Sequence, residues 1–401
     1  MKNMAIITLI PKAYTFNCNR LFFYLCLILY LFIGGSNTAM GHKLKGAPYA
    51  MDFLLQFQNT DFTKGTFEDT EFSEGVVRLL HNPKNQKFIK HGVFLSPVIE
   101  AKFPFNELLP SWNFTLPAKC GFRIDFRLST DNKQWTPWLF LGRDGYIPRK
   151  EAKNKIIKHN DIEVDIDYLL PKPPQQYFQF KISFYSKNGK ASPLLHLFSI
   201  SYSNSLQDKE LWEKFAKEDD MLITPVAPVK LLVPYYSQLN AKKKLRYETC
   251  CPTCATMIVN YFGKKIPMNE VIDANLDKEY KIYGVWPKTA QTLWKYGLRS
   301  YVRRFRNFNQ IYAVLNSGLP IMASIQVPEG ALTSAAIYNQ TDDHLILLRG
   351  MTSNGDLFVN DPYANNESEG CRVYTQQEIQ KTWLDRGGVG IIGEPIQNIT
   401  K

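Results

Sequence analysis

Residues 247–257 read YETCCPTCATM, which places Cys250, Cys251 and Cys254 within five positions of one another. Thiols so spaced can hold a metal, close a disulfide or supply a nucleophile. A structural zinc site takes four ligands, commonly as two CxxC-type pairs. Cys251 and Cys254 have that spacing, but no second pair answers them: Cys371 is single and His344 stands alone. No metal or cofactor site is therefore expected. A disulfide from one of the three to Cys120 or Cys371 stays open, and is compatible with catalysis by another thiol. The nucleophile reading draws on the apolar run ATMIVNYFG (255–263), with Gly263 as a helix stop. A thiol at a helix start feels the partial positive charge of the unpaired N–H groups, which favours the thiolate. Pro252 suits the first turn, where its missing N–H costs nothing. Cys250 thus stands where a reactive cysteine should.

A thiolate also needs a base and a group to orient that base. His344 opens the apolar stretch HLILLRGM (344–351), and Asp361 closes DLFVNDP (356–362). The short Thr352–Gly355 connection favours antiparallel neighbours. The start of one strand would then lie beside the end of the other, with Asp361 placed to hold the imidazole. Taken singly, a strand-opening His is more often structural, and Asp-Pro commonly just ends a strand.

The elements that must carry these residues read as an α+β domain over 231–395. An extended VPYYSQ (233–238) leads into the cysteine cluster. Helical period marks 268–276, 289–297 and 308–318, and a further strand is expected over 320–327. The region before it, 40–205, reads as an all-β sandwich or jelly roll. FRIDFRLS (122–129), FQFKISFYS (178–186) and LLHLFSISYS (194–203) alternate apolar and polar residues. Trp112, Trp135, Trp138 and Tyr146 punctuate it. Cross-strand packing is the simpler account of these rings; a platform for a glycan or other cell-envelope ligand is the alternative. Residues 206–230, charged and then proline-bearing (TPVAPVK), read as a linker.

Composition narrows the partners. The 401 residues are 45% hydrophobic and carry a net charge of +11. The positive charge is spread, which suits attraction to acidic surfaces better than nucleic-acid binding. No P-loop pattern appears, so ATP is not expected. Lys2, Lys12 and Arg20 precede the apolar run Leu21–Ile33, and small residues follow from Gly34. That order describes a signal peptide over 1–39 and an exported protein. The run is short for a membrane span, which takes about 20 apolar residues, and an uncleaved anchor is the alternative. Cleavage would remove Cys18 and Cys26 and leave five cysteines, an odd number that keeps one thiol unpaired within the monomer.

With these residues in view, 231–395 resembles the papain-like cysteine peptidases typified by bacteriocin-leader (double-glycine) peptidases, in their stand-alone secreted bacterial form. The resemblance rests on Val233–Gln238, Cys250-Cys251-Pro252-Thr253, His344–Gly350 and Asn360-Asp361-Pro362, in that order. It implies a papain-like fold, Cys250 as nucleophile, His344 as general base and acid, and Asp361 as its orienter. It also implies that the Gln238 side chain donates to the oxyanion hole beside the Cys250 backbone N–H. Two positions depart from the family pattern: Cys251 stands where Gly or Ser is usual, and Asp343 where Gly is common. An acid at 343 would raise the His344 pKa. GVFLSP (92–97), PSWN (110–113) and WTPW (135–138) resemble the N-terminal sandwich of some secreted members. The function so implied is hydrolysis of peptide bonds in a peptide or protein substrate. The same triad serves amidases, deamidases and acyl transferases, and a non-catalytic glycan- or protein-binding scaffold is a further alternative.

Overall fold

The computed structural model describes residues 50–206, 208–215, 226–334 and 337–396. The expected signal peptide and part of the expected linker lie outside them. Among the described residues, no helix is long and apolar enough to cross a membrane.

The alternating stretches of the N-terminal region form strands where the pattern places them: Cys120–Ser129, Gln175–Ser186 and Leu194–Asn204. The first two pair antiparallel, from Cys120 opposite Ser186 to Ser129 opposite Tyr177, in a six-stranded sheet. The third lies between Met51–Gln58 and Glu107–Thr115 in an eight-stranded sheet. The two sheets share one core, and it is aromatic. The Phe180 ring of one sheet lies 4.4 Å from Phe198 and 5.2 Å from Phe57 of the other. Each fully buried ring of this kind stabilises by about 1.5–3 kcal/mol through removal from water.

The punctuating aromatics separate by role. Trp112 is buried in the core. Trp135 and Trp138 instead carry the Arg127 guanidinium, at 4.7 and 5.0 Å from their ring centres, and Lys181 sits 4.6 Å over Trp138. A short helix, Arg149–Lys153, interrupts the strands without any helical period to announce it.

In the C-terminal region the helices Cys250–Tyr261, Met268–Asn275, Trp286–Lys295 and Phe308–Asn316 match the expected periods. Gly263 follows the first at φ +77°, a left-handed value that glycine adopts without strain. A seven-stranded antiparallel sheet backs them, in the order 298–304, 389–395, 321–327, 341–351, 357–360, 371–374, with 229–230 also pairing with 341–351. Four of its strands are additions to the sequence reading: Val229–Lys230, Leu298–Arg304, Cys371–Tyr374 and Val389–Pro395. In Leu298–Arg304 the inward set is Leu298, Ser300, Val302 and Arg304. Two of the four are polar, so the alternation is hidden.

VPYYSQ is not a strand. Among the described residues of the expected linker, the sheet takes Val229–Lys230, and Gln238 starts a 3-10 turn. Pro234 has no N–H to give a ladder. The side chains bond instead: the Tyr235 hydroxyl donates to the carbonyls of Asp361 (2.9 Å) and Ala364 (3.0 Å), and Ser237 Oγ donates to Ala364 (2.5 Å).

The N-terminal and C-terminal regions meet along a buried, polar seam. Gln291 accepts from the Phe114 N–H and donates to the Phe114 carbonyl, both at 2.8 Å, so its amide acts as an extra strand residue. Asn113 donates to the Ser300 carbonyl (2.9 Å) and accepts from the Ser300 N–H (3.0 Å). Ser111 Oγ accepts from Val302 N–H at 3.0 Å. Arg304 and Glu107, both buried, pair at 2.6 Å. A linker with two prolines suggests independent domains, but the described residues from 50 to 396 form one compact unit.

Candidate active site

Cys250 is the first residue of its helix, with Thr249 at the N-cap. The first N–H groups of a helix have no partner within it, so the thiol lies beside unspent donors. Adjacent positions on a helix diverge by about 100°, and the three cysteines face different surroundings. Cys251 points into the helical layer, where its sulfur lies 3.0 Å from Thr289 Oγ1 and 4.0 Å from Asn275 Nδ2. Burial, then the neighbouring Cys250 charge, push the Cys251 thiol far up. Cys254, one turn on, donates to the Leu345 carbonyl at 3.4 Å, and burial pushes it well up too. Burial alone would do the same to Cys250, but hydrogen bonding to His344 and its charge outweigh burial and bring the thiol below its ordinary value. Cys120, Cys250, Cys251, Cys254 and Cys371 are all free, so the disulfide to Cys120 or Cys371 does not form.

His344 and Asp361 meet as the antiparallel arrangement requires. Leu347 pairs with Asn360, and the chain turns back through Thr352–Gly355. His344 Nε2 lies 2.9 Å from Asp361 Oδ1, which leaves Nδ1 for the thiol. Burial opposes the imidazolium. The Asp361 charge and hydrogen bond, with a smaller push from Cys250, reverse that and hold His344 well above its usual value. Burial likewise opposes the Asp361 carboxylate, and His344 with the Tyr363 N–H and the Tyr338 hydroxyl hold it below its usual range. Asp343, expected to raise His344, is exposed on the other face of the strand; Asp361 supplies the leading charge.

Gln238 is buried and tied at both ends. Its backbone N–H donates to the Pro362 carbonyl at 2.8 Å, next to Asp361. Its Nε2 donates to the Arg246 carbonyl at 2.6 Å, four residues before Cys250. The second N–H on that nitrogen is not used by the bond, and Oε1 is buried without a partner among the described residues.

Four tyrosines around the site escaped the sequence reading. Tyr338 and Tyr374 both donate to Asp361 Oδ2, at 2.8 and 3.1 Å. Tyr338 meets the His344 ring edge-on at 5.2 Å, and Tyr363 does so at 6.3 Å. Tyr235 holds the Asp361 carbonyl. They come from four separate segments, and no spacing links them.

Comparison with known proteins adds the family. Residues 230–391 match the Peptidase_C39 like family, and residues 54–203 match the Peptidase C39 N-terminal domain. Among solved structures, a double glycine motif protease from an AMS/PCAT transporter, in complex with its leader peptide, is 17% identical and aligns over 44% of this chain and 100% of its own, with a TM-score of 0.30. A putative C39-like peptidase from Bacillus anthracis is 14% identical over 43% of this chain and 99% of its own, with a TM-score of 0.34. No curated protein matches the chain. The C-terminal region thus matches a C39-like peptidase model behind a match to the C39 N-terminal domain, and the chain is a cysteine peptidase.

Proposed function

We propose that the chain hydrolyses peptide bonds through Cys250, His344 and Asp361, with Gln238 as oxyanion donor, on a papain-like domain preceded by a β-sandwich. The observation that carries this reading is His344, held 2.9 Å from Asp361 Oδ1 through Nε2 and close enough to Cys250 to bring that thiol below its ordinary value. The Cys250 thiolate attacks the scissile carbonyl carbon. The oxyanion takes the free N–H of Gln238 and the backbone N–H of Cys250. His344 gives its proton to the leaving amine, and the C–N bond breaks to leave a thioester on Cys250. His344 then removes a proton from water as it attacks the thioester, and the acid product leaves with the thiolate–imidazolium pair restored. Asp361 keeps the imidazole aligned throughout. Export is part of the proposal and rests on the charged, apolar, small order of residues 1–39.

The test is incubation of the purified chain with a proteome-derived peptide library, with new N-termini read by mass spectrometry. New termini that vanish in Cys250→Ala and His344→Ala support the reading. If the chain is fully folded and Cys250 alkylates like an ordinary thiol, the reading fails and a binding scaffold replaces it.

A further inference from the structure

A triad is only as well aligned as the carboxylate at its far end. Asp361 is fully buried, and its two oxygens are divided between tasks. Oδ1 takes His344 Nε2 (2.9 Å) and the Tyr363 N–H (3.0 Å). Among the described residues, Oδ2 takes two phenols, Tyr338 and Tyr374. A carboxylate bonded at one oxygen can swing about its Cβ–Cγ bond; one bonded at both cannot. The two phenols also come from opposite flanks. Tyr374 ends the strand beside that of Asp361, paired with Leu357. Tyr338 lies in the connection leading into the His344 strand and packs its ring edge-on against the imidazole, so one side chain braces both members of the pair.

We propose that Tyr338 and Tyr374 are positioning residues of the reaction, their hydroxyls fixing the Asp361 carboxylate so that its other oxygen stays on His344 Nε2. The inference rests on the triad reading above. Hydrogen bonds to the charged form of a carboxylate keep it ionised, so the phenols serve charge as well as direction. Other groups facing Asp361 are His344, Tyr235 and Cys254. Those facing His344 are Cys250, Asp361 and the two rings Tyr338 and Tyr363, and Arg372 lies near Tyr374. Tyr235 bonds the backbone carbonyls of Asp361 and Ala364 and not the carboxylate, so among the described residues Tyr338 and Tyr374 are the donors to Oδ2.

The sign follows from the order of protonation. Each phenol donates to Asp361 Oδ2, and a hydrogen bond to the charged form favours it, so removing a phenol lets Asp361 take a proton at higher pH. A neutral Asp361 no longer supports the imidazolium, and the Cys250 thiolate is lost with it. The experiment is alkylation of Cys250 by iodoacetamide in the full chain as a function of pH, with peptide mapping, in wild type, Tyr338→Phe, Tyr374→Phe and the double variant. The acid limb of the Cys250 curve should move up by roughly one pH unit per phenol lost, and further in the double variant. A structural role would lower Tm and leave that limb in place. A wild-type curve with enhanced acid reactivity that stays unmoved in both single variants overturns this inference alone. A wild-type Cys250 without such reactivity overturns the triad reading and this inference together. Should Tyr374→Phe fail to fold, Tyr338→Phe decides the matter.

Discussion

The two halves of the molecule solve burial in opposite ways. The N-terminal core is built of phenylalanines, with Phe126, Phe178, Phe180 and Phe198 all fully buried. The C-terminal region packs aliphatic side chains around a buried polar centre: Asp361, Asn360 and Thr253 have no exposure, and His344 little. Aromatic rings bring large apolar area and preferred edge or offset contacts, and they make a stiff block. A buried carboxylate and imidazole are costly unless each polar atom has a partner. The half that carries the candidate site therefore devotes its packing to satisfying charge. Perturbing one half should change stability, and perturbing the other should change reactivity.

That contrast can be broken most forcefully at Phe180, which meets Phe57, Phe94, Phe126 and Phe198. Phe180→Ala should destabilise by about 3–5 kcal/mol, measured by denaturant unfolding. The pH profile of Cys250 alkylation in the fraction that remains folded should be unchanged. Gln238→Ala should do the reverse. Loss of one oxyanion donor typically costs about 100- to 1000-fold in kcat, so turnover of any peptide found in the library screen should fall by that factor while Cys250 still alkylates at low pH. The smallest effect belongs to Cys251→Ser. The hydroxyl meets the same Thr289 and Asn275 partners, so Cys250 reactivity should change less than about threefold, in line with a stability effect under 1 kcal/mol. Abolished reactivity in that variant would move the nucleophile to Cys251.

The pairing of His344 with Asp361 was legible because one short turn joins two apolar runs, and antiparallel geometry then places their far ends together. The Cys250 helix start was legible from Pro252 and Gly263 for equally local reasons. Where function depends on contacts between distant segments, local pattern was silent. Gln238 lies in a 3-10 turn clasping Pro362 and Arg246, which VPYYSQ alone does not show. The phenols at 235, 338, 363 and 374 converge only after four segments close around Asp361. The seam was hidden for a further reason: Ser111, Asn113, Gln291 and Ser300 are ordinary polar residues whose burial is a property of two surfaces together.

That seam also sets an order of biogenesis. Residues 51–204 are synthesised first and supply the buried residues of their own aromatic core, while the seam partners of Glu107, Ser111 and Asn113 lie further along the chain. The cysteine helix follows, still without a base. His344, Asp361 and last of all Tyr374 arrive later, and the sheet carrying them docks on a face already made. A nascent or truncated chain ending before residue 371 carries the thiol of Cys250 but only part of the Asp361 brace. Under the proposed triad, a chain cut before Asp361 would hold the Cys250 thiol without the carboxylate that aligns its base.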